Sequence, residues 1–153
     1  MEGGRVALVR EPIVAEELLR EFSPGPDGAI VTFSGTVRDN TRGRRTLFLD
    51  YEAYEDMALG QMQELARQAI ADLDVRDVLL IHRLGRLKVG ESSVFIAVAG
   101  AHRAQAFEAC GWLIDTLKKT VPIWKKEYFE DGAVWADGEP FPDAMLSAGT
   151  GGK

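Results

Sequence analysis

The stretch that most constrains this chain runs from residue 93 to Pro122. Residues 93–99 (SVFIAVA) read as a strand, and a helical pattern begins almost at once, near His102. Phe107, Cys110, Ile114, Leu117 and Val121 recur at spacings of 3, 4, 3 and 4, which predicts a helix over about residues 102–120 with that stripe against a core. Pro122 stops it, because proline has no amide hydrogen to donate and its ring clashes with the preceding turn. The junction has no Ser, Thr, Asp or Asn in the cap position, so the first amides lack a side-chain partner. Such amides, with the positive end of the helix dipole, form an anion site, to which His102 and Arg103 add donors for phosphate or carboxylate. The structural alternative is that Gly100 caps the helix and His102 satisfies a neighbouring strand.

The other elements are organised around this unit. Residues 6–9 read as a strand, and residues 13–22 as an amphipathic helix on Val14, Leu18, Leu19 and Phe22, closed by SPGP at 23–26. A strand over 28–37 leads into the polar loop 38–45, which carries four arginines and reads as a cationic flap. Residues 46–54 alternate Leu47, Leu49 and Tyr51 against Phe48, Asp50 and Glu52, so the two strands read as a long-looped hairpin. A second long helix is expected over 55–73, with Ala58, Met62, Leu65, Ala69 and Leu73 buried. Residues 78–82 form a strand, Gly85 and Gly90 punctuate the segment up to residue 93, and strands over 124–129 and 133–136 flank the turn signal Asp131-Gly132. Hairpins outnumber crossovers, so the expected fold is α+β, with a mixed, mostly antiparallel sheet and about three helices. At 153 residues the chain is one domain, expected over 1–147, with a flexible tail at 148–153.

Charge narrows the function. Eighteen basic and twenty-four acidic side chains leave a net charge of -6, which argues against a nucleic-acid binder. One cysteine excludes a disulfide scaffold, and the N-terminal ten residues lack the apolar core of a secretory signal; no apolar run is long enough to span a bilayer, so a cytoplasmic protein is expected. Of six lysines none precedes Lys88, and Lys118, Lys119, Lys125 and Lys126 fall within nine residues. They form either a solvated basic face or a site that uses the ability of lysine to shift its pKa. Trp124 and Glu127 beside Lys125 favour a tunable acid or base. Arg103 and Lys118 are 15 residues apart, roughly 22 Å along a helix, too far to grip one small ligand. If both serve one site, a two-fold dimer must bring the start of one helix to the end of its mate. His82 and His102 with Cys110 give no metal-ligand spacing, so neither a metal nor a cofactor is expected. Cys110 reads as a buried inert thiol, His82 as a strand end rather than a ligand site, and GTGGK at 149–153 lacks the Ser or Thr and the helix of a P-loop.

Five motifs taken together resemble the large, catalytic subunits of molybdopterin synthase: FSGTVRD at 33–39, LDYEAY at 49–54, IHRLG at 81–85, AHR at 101–103, and DTLK at 115–118 continuing to PIWKKE at 122–127. The resemblance implies an α/β-hammerhead type fold and a homodimer of large subunits. Each would carry a small ubiquitin-like subunit with a thiocarboxylated C-terminal glycine, giving a heterotetramer. It implies sulfur transfer to cyclic pyranopterin monophosphate (precursor Z), a cytoplasmic step of molybdenum cofactor biosynthesis without nucleic acid or membrane. Carried over by position, Arg38, His102, Arg103, Lys118 and Lys125 are pocket residues, with Thr36, Val37, Lys126 and Glu127 adjoining the substrate; Thr36 stands where relatives can carry lysine. Lys118 is expected to be the central catalytic group and Lys125, oriented by Glu127 and packed near Trp124, the second acid or base. Arg38, His102 and Arg103 are expected to hold phosphate and pterin. The competing class is a noncatalytic dimeric module that binds a phosphorylated metabolite or a partner's C-terminus. A self-contained sulfur carrier ending in Gly151-Gly152 is disfavoured because Lys153 blocks the terminal glycine.

Overall fold

The computed structural model describes residues 4–142, so the tail expected over 148–153 lies outside the described residues. The chain runs β1 (Arg5–Val9), α1 (Ala15–Leu19), β2 (Ala29–Thr36), β3 (Asn40–Thr41), β4 (Arg44–Ala53), α2 (Glu55–Asp72), β5 (Asp77–Arg83), β6 (Gly85–Lys88), β7 (Ser92–Gly100), α3 (Arg103–Thr120), β8 (Ile123–Phe129) and β9 (Val134–Ala136). It is the expected α+β fold, with its strands divided between two sheets. The first has the order β1-β5-β7-β2, parallel between β1 and β5 and antiparallel elsewhere. The second is antiparallel, in the order β3-β4-β8-β9, with β6 also pairing β4.

Strands β5 and β7 read as nearly unbroken apolar runs because both their faces are covered. Val78, Leu80, Val94, Ile96 and Val98 meet Met62, Ala66 and Ala69 of α2 and Ala106, Ala109, Leu113 and Leu117 of α3. Leu79, Phe95, Ala97 and Ala99 on the reverse face meet Phe22, Leu18 and Leu19. The alanines let both helices approach the sheet closely, and each fully buried aliphatic side chain contributes about 1.5–3 kcal/mol.

Four expectations change. The strands over 28–37 and 46–54 are not a hairpin: β2 pairs with β7 along its whole length, and β4 with β3, β6 and β8. Periodicity shows which face of a strand is apolar and not which strand lies beside it. The buried stripe of α3 is Ala106, Ala109, Cys110, Leu113 and Leu117, so Phe107 is 63% exposed and Ile114 lies at the flank of the helix. The helix at 13–22 is confined to Ala15–Leu19, although its apolar residues still pack on the sheet. In β4 a register shift between Thr46 and Phe48 leaves Leu47 exposed and breaks the expected alternation.

Two glycines shape the junction of the sheets and the start of α3. Gly85, at φ 91°, turns the chain from the first sheet into the second, a conformation β-carbon-bearing residues rarely adopt. Gly28 passes so close to the chain before α3 that a β-carbon there would lie 2.4 Å from the Ala101 carbonyl oxygen.

Candidate active site

The two sheets meet where β2, β5 and β7 end or begin, and a cleft opens at that junction. It consists of two adjoining recesses of about 230 and 190 Å³ that share Tyr51, Ser93, Val94, Lys118 and Lys125. His82, Ile114 and Asp137 line the first; Thr36, Val37, Arg38, Thr41, Leu49 and Glu127 line the second. Six of the sequence-predicted residues, Thr36, Val37, Arg38, Lys118, Lys125 and Glu127, thus come together, supplied by β2 and the turn after it, the last turn of α3, and β8.

The two lysines stand in different surroundings. Lys125 is ion-paired: its Nζ lies 3.2 Å from Asp137 Oδ1, and its backbone amide donates to Asp137 Oδ2 at 2.9 Å. The Lys118 side chain makes no hydrogen bond and has no carboxylate partner among the described residues. Its charge is therefore uncompensated at the junction of the two recesses.

Glu127 is not the partner of Lys125. Its carboxylate, 5% exposed, accepts hydrogen bonds from the hydroxyls of Thr41, at 2.7 Å, and Thr46. It ties β3 to β8 and meets the rule that a buried carboxylate be hydrogen-bonded. Trp124 packs edge-on against Tyr54, centroids 4.9 Å apart, on the strand face opposite Lys125. Lys126 is on that opposite face too, exposed and across the ladder from Asp50, which Arg86 holds below the usual carboxylate range through a double hydrogen bond.

The loop expected as a cationic flap is largely pinned. The Arg42 guanidinium lies over the rings of Phe141 and Trp135, at 4.6 and 5.9 Å, and Arg44 pairs with Asp131 while covering Phe129 and Phe141. Arg38 is the arginine of this loop that lines the cleft.

His102 and Arg103 are elsewhere. They line a shallow recess with Gly28, Ala101 and Ala104 at the start of α3, and Lys118 belongs to the last turn of the same helix. His102 is the N-cap residue and makes no side-chain capping bond, and the first turn contains no acid, whereas the uncapped α2 has Glu55 and Asp56 there. The amides and dipole of α3 thus face solvent beside His102 and Arg103 with no acid in the first turn, the setting of an anion site.

Sequence reasoning misses two cleft residues. Asp137 gives no signal, since it reaches Lys125 from twelve positions away, through the β8–β9 hairpin. His82 reads as a strand end, yet it lines the first recess at 4% exposure, its ring edge-on to Tyr51 with centroids 5.1 Å apart. Burial pushes its pKa down to about 4, against a partly offsetting hydrogen bond to the Arg83 carbonyl, and the Lys118 charge pushes the same way as burial. Cys110 is buried and its thiol raised by burial, in keeping with an inert side chain.

The His82 shift predicts an acid-dependent stability. Unfolded chains bind the imidazole proton near pH 6.5 and the folded protein only near 4, so stability falls as pH drops through that interval, by about 3 kcal/mol in full. Denaturant unfolding of the protein and of His82→Phe at pH 7.0 and 4.5 checks this. The variant should lose markedly less stability on acidification, and equal losses would reject it.

The fold and cleft define a class of protein: an α+β subunit in which two lysines meet in a cleft at the junction of two sheets. The family model "MoaE protein" matches residues 8–120. A molybdopterin synthase catalytic subunit from Pyrococcus abyssi is 40% identical over 91% of this chain and 95% of its own length. One from Thermoplasma volcanium is 48% identical over 83% and 93%. The crystal structure of molybdopterin synthase from Staphylococcus aureus superposes with a TM-score of 0.79 at 35% identity, covering 86% of this chain and 96% of that one. The chain belongs to the MoaE family of molybdopterin synthase catalytic subunits, sulfurtransferases of molybdenum cofactor biosynthesis. No helix among the described residues is long and apolar enough to cross a membrane.

Proposed function

We propose that this chain carries sulfur from the thiocarboxylated C-terminus of a small ubiquitin-like subunit to cyclic pyranopterin monophosphate, in two transfers that build the molybdopterin dithiolene. One observation carries the reading: Lys118 and Lys125 share a single cleft with Arg38 on its wall. Both reactants are anions, and both transfers move negative charge between carbonyl and sulfur. Preorganised cations in a cleft stabilise such charge without reorganising at the moment of reaction.

Lys118, with no carboxylate to neutralise it, polarises the thiocarboxylate, and Lys125, held by Asp137, is the second acid or base. Arg38, with Thr36 and Val37 beside it, binds the substrate from the second recess. Glu127 secures β3 against β8 and so fixes the wall on which Lys125 stands. Lys126, on the reverse face of β8, contributes through the cationic surface around the site. His102 and Arg103 complete the phosphate site from a second copy of the chain, since 15 residues of helix, roughly 22 Å, separate Arg103 from Lys118 in one copy. Two large and two small subunits then make the working assembly, in the cytoplasm.

The test is turnover. The chain mixed with thiocarboxylated small subunit and precursor should yield a pterin bearing two sulfurs, read by mass spectrometry. A stable complex with no sulfur transferred would mark a binding module and end the proposal.

A further inference from the structure

The first recess brings together Lys118, which has no carboxylate partner, and His82, a buried imidazole on β5 that the sulfur-transfer reading leaves without a task. The Nδ1 of His82 is 2.9 Å from the carbonyl oxygen of Arg83. A carbonyl only accepts, so Nδ1 carries the proton and the neutral ring keeps a lone pair on Nε2. That nitrogen has no protein partner among the described residues, and the residue lines the cleft. Tyr51 packs edge-on against the ring. The charged and titratable groups facing it are Lys118 from α3, Lys125 from β8, Asp137 from the segment after β9, and Tyr51 from β4. Lys125 and Asp137 satisfy one another.

We propose that His82 is a positioning residue for Lys118: the lysine side chain, unbonded in this conformation, turns within the shared recess to donate a hydrogen bond to the neutral Nε2, which directs the ammonium group over the cleft. Lysine is a point charge on a flexible stem, and something must fix its direction if its charge is to fall on one developing oxyanion or thiolate. A carboxylate in that place would cancel the charge, as Asp137 does for Lys125. An imidazole that stays neutral directs the lysine and leaves its full charge for the reactants. Two lysines in one cleft are thereby set to different work by their acceptors, one anionic and one neutral.

The inference rests on the proposed sulfur transfer for its kinetic consequence and not for its chemistry in the free protein, so the experiment has two arms. In the first, the protein labelled with nitrogen-15 at histidine is observed near pH 7, with His102→Ala to assign its two rings. His82 should show a protonated Nδ1 and an unprotonated Nε2, and Lys118→Ala should move the Nε2 resonance. A proton on Nε2, or a resonance indifferent to Lys118→Ala, overturns the proposal whether or not the protein transfers sulfur. In the second arm, His82→Phe should lower kcat about tenfold with little change in KM, and His82→Gln, which keeps an acceptor, should recover most of that loss. In the Lys118→Ala background His82→Phe should cost nothing further. Additive losses would assign His82 a merely structural role. Absence of transfer by the unsubstituted protein would instead fail the proposed function, leaving the first arm to decide.

Discussion

Lys118→Ala is expected to slow sulfur transfer by about 10²–10³-fold while the protein stays folded, the loss seen when one preorganised donor is removed from an oxyanion site. The side chain is exposed in the last turn of α3, so no packing is lost with it. What stability it contributes comes from the helix dipole, about 0.3–1 kcal/mol at an exposed C-terminus, and Lys119 remains to supply part of that. The cleft, by contrast, loses the one lysine on its walls that no carboxylate among the described residues neutralises. Lys125→Ala is the less clean experiment, because besides removing a positive charge it leaves the Asp137 carboxylate unpaired at the cleft. Single-turnover transfer from a thiocarboxylated partner, with circular dichroism for folding, gives the answer. A loss below about tenfold removes Lys118 from the centre of the mechanism.

Why Lys118 can be picked from the sequence and His82 cannot is a matter of what local patterns record. Four lysines within nine residues, in a chain with none before Lys88, are visible in composition alone, and the Pro122 break between them places a helix end beside a strand. The partner of Lys125 is misjudged because Glu127, two residues on, shares its strand face and is the nearest acid in sequence. Burial decides otherwise: Glu127 lies under β3, where threonine hydroxyls reach it, and the exposed Asp137 is free to take the lysine. His82 ends a run of apolar residues, and such a position is occupied by a buried core histidine and by a cleft histidine alike; the sheet junction created by Gly85 makes the difference. Phe107 reads as buried because a phase error of one residue on a helix is about 100°, and the flanking apolar residues of α3 fit either phase. The β2–β4 hairpin fails for a longer-range reason. Each strand does pair along its length, β2 with β7 some 56 to 71 residues later in the chain and β4 with β8 some 70 to 83 residues later.

The position of His102 and Arg103 leads to the second large effect. Arg103 opens α3, Lys118 stands in its last turn, and the recess at the helix start shares no residue with the cleft. If Arg103 binds the substrate phosphate, it does so in the cleft of another copy, and Arg103→Ala and Lys118→Ala should each reduce activity to below about 1% for different sites of a two-fold pair. Mixing the two variants then restores what neither has. A mixed dimer places both substitutions in one site and leaves the other with an intact Arg103 from one copy and an intact Lys118 from its mate. Random exchange makes half the dimers mixed, each with one working site of two, so transfer should recover to about a quarter of the unsubstituted rate. Coexpression of the two variants with different affinity tags, followed by isolation of the doubly tagged species, raises the expected value to about half. No recovery in that species would mean that Arg103 and Lys118 do not meet across a dimer. The cationic end of α3 would then have to bind an anion of its own, and the phosphate would fall to Arg38 alone.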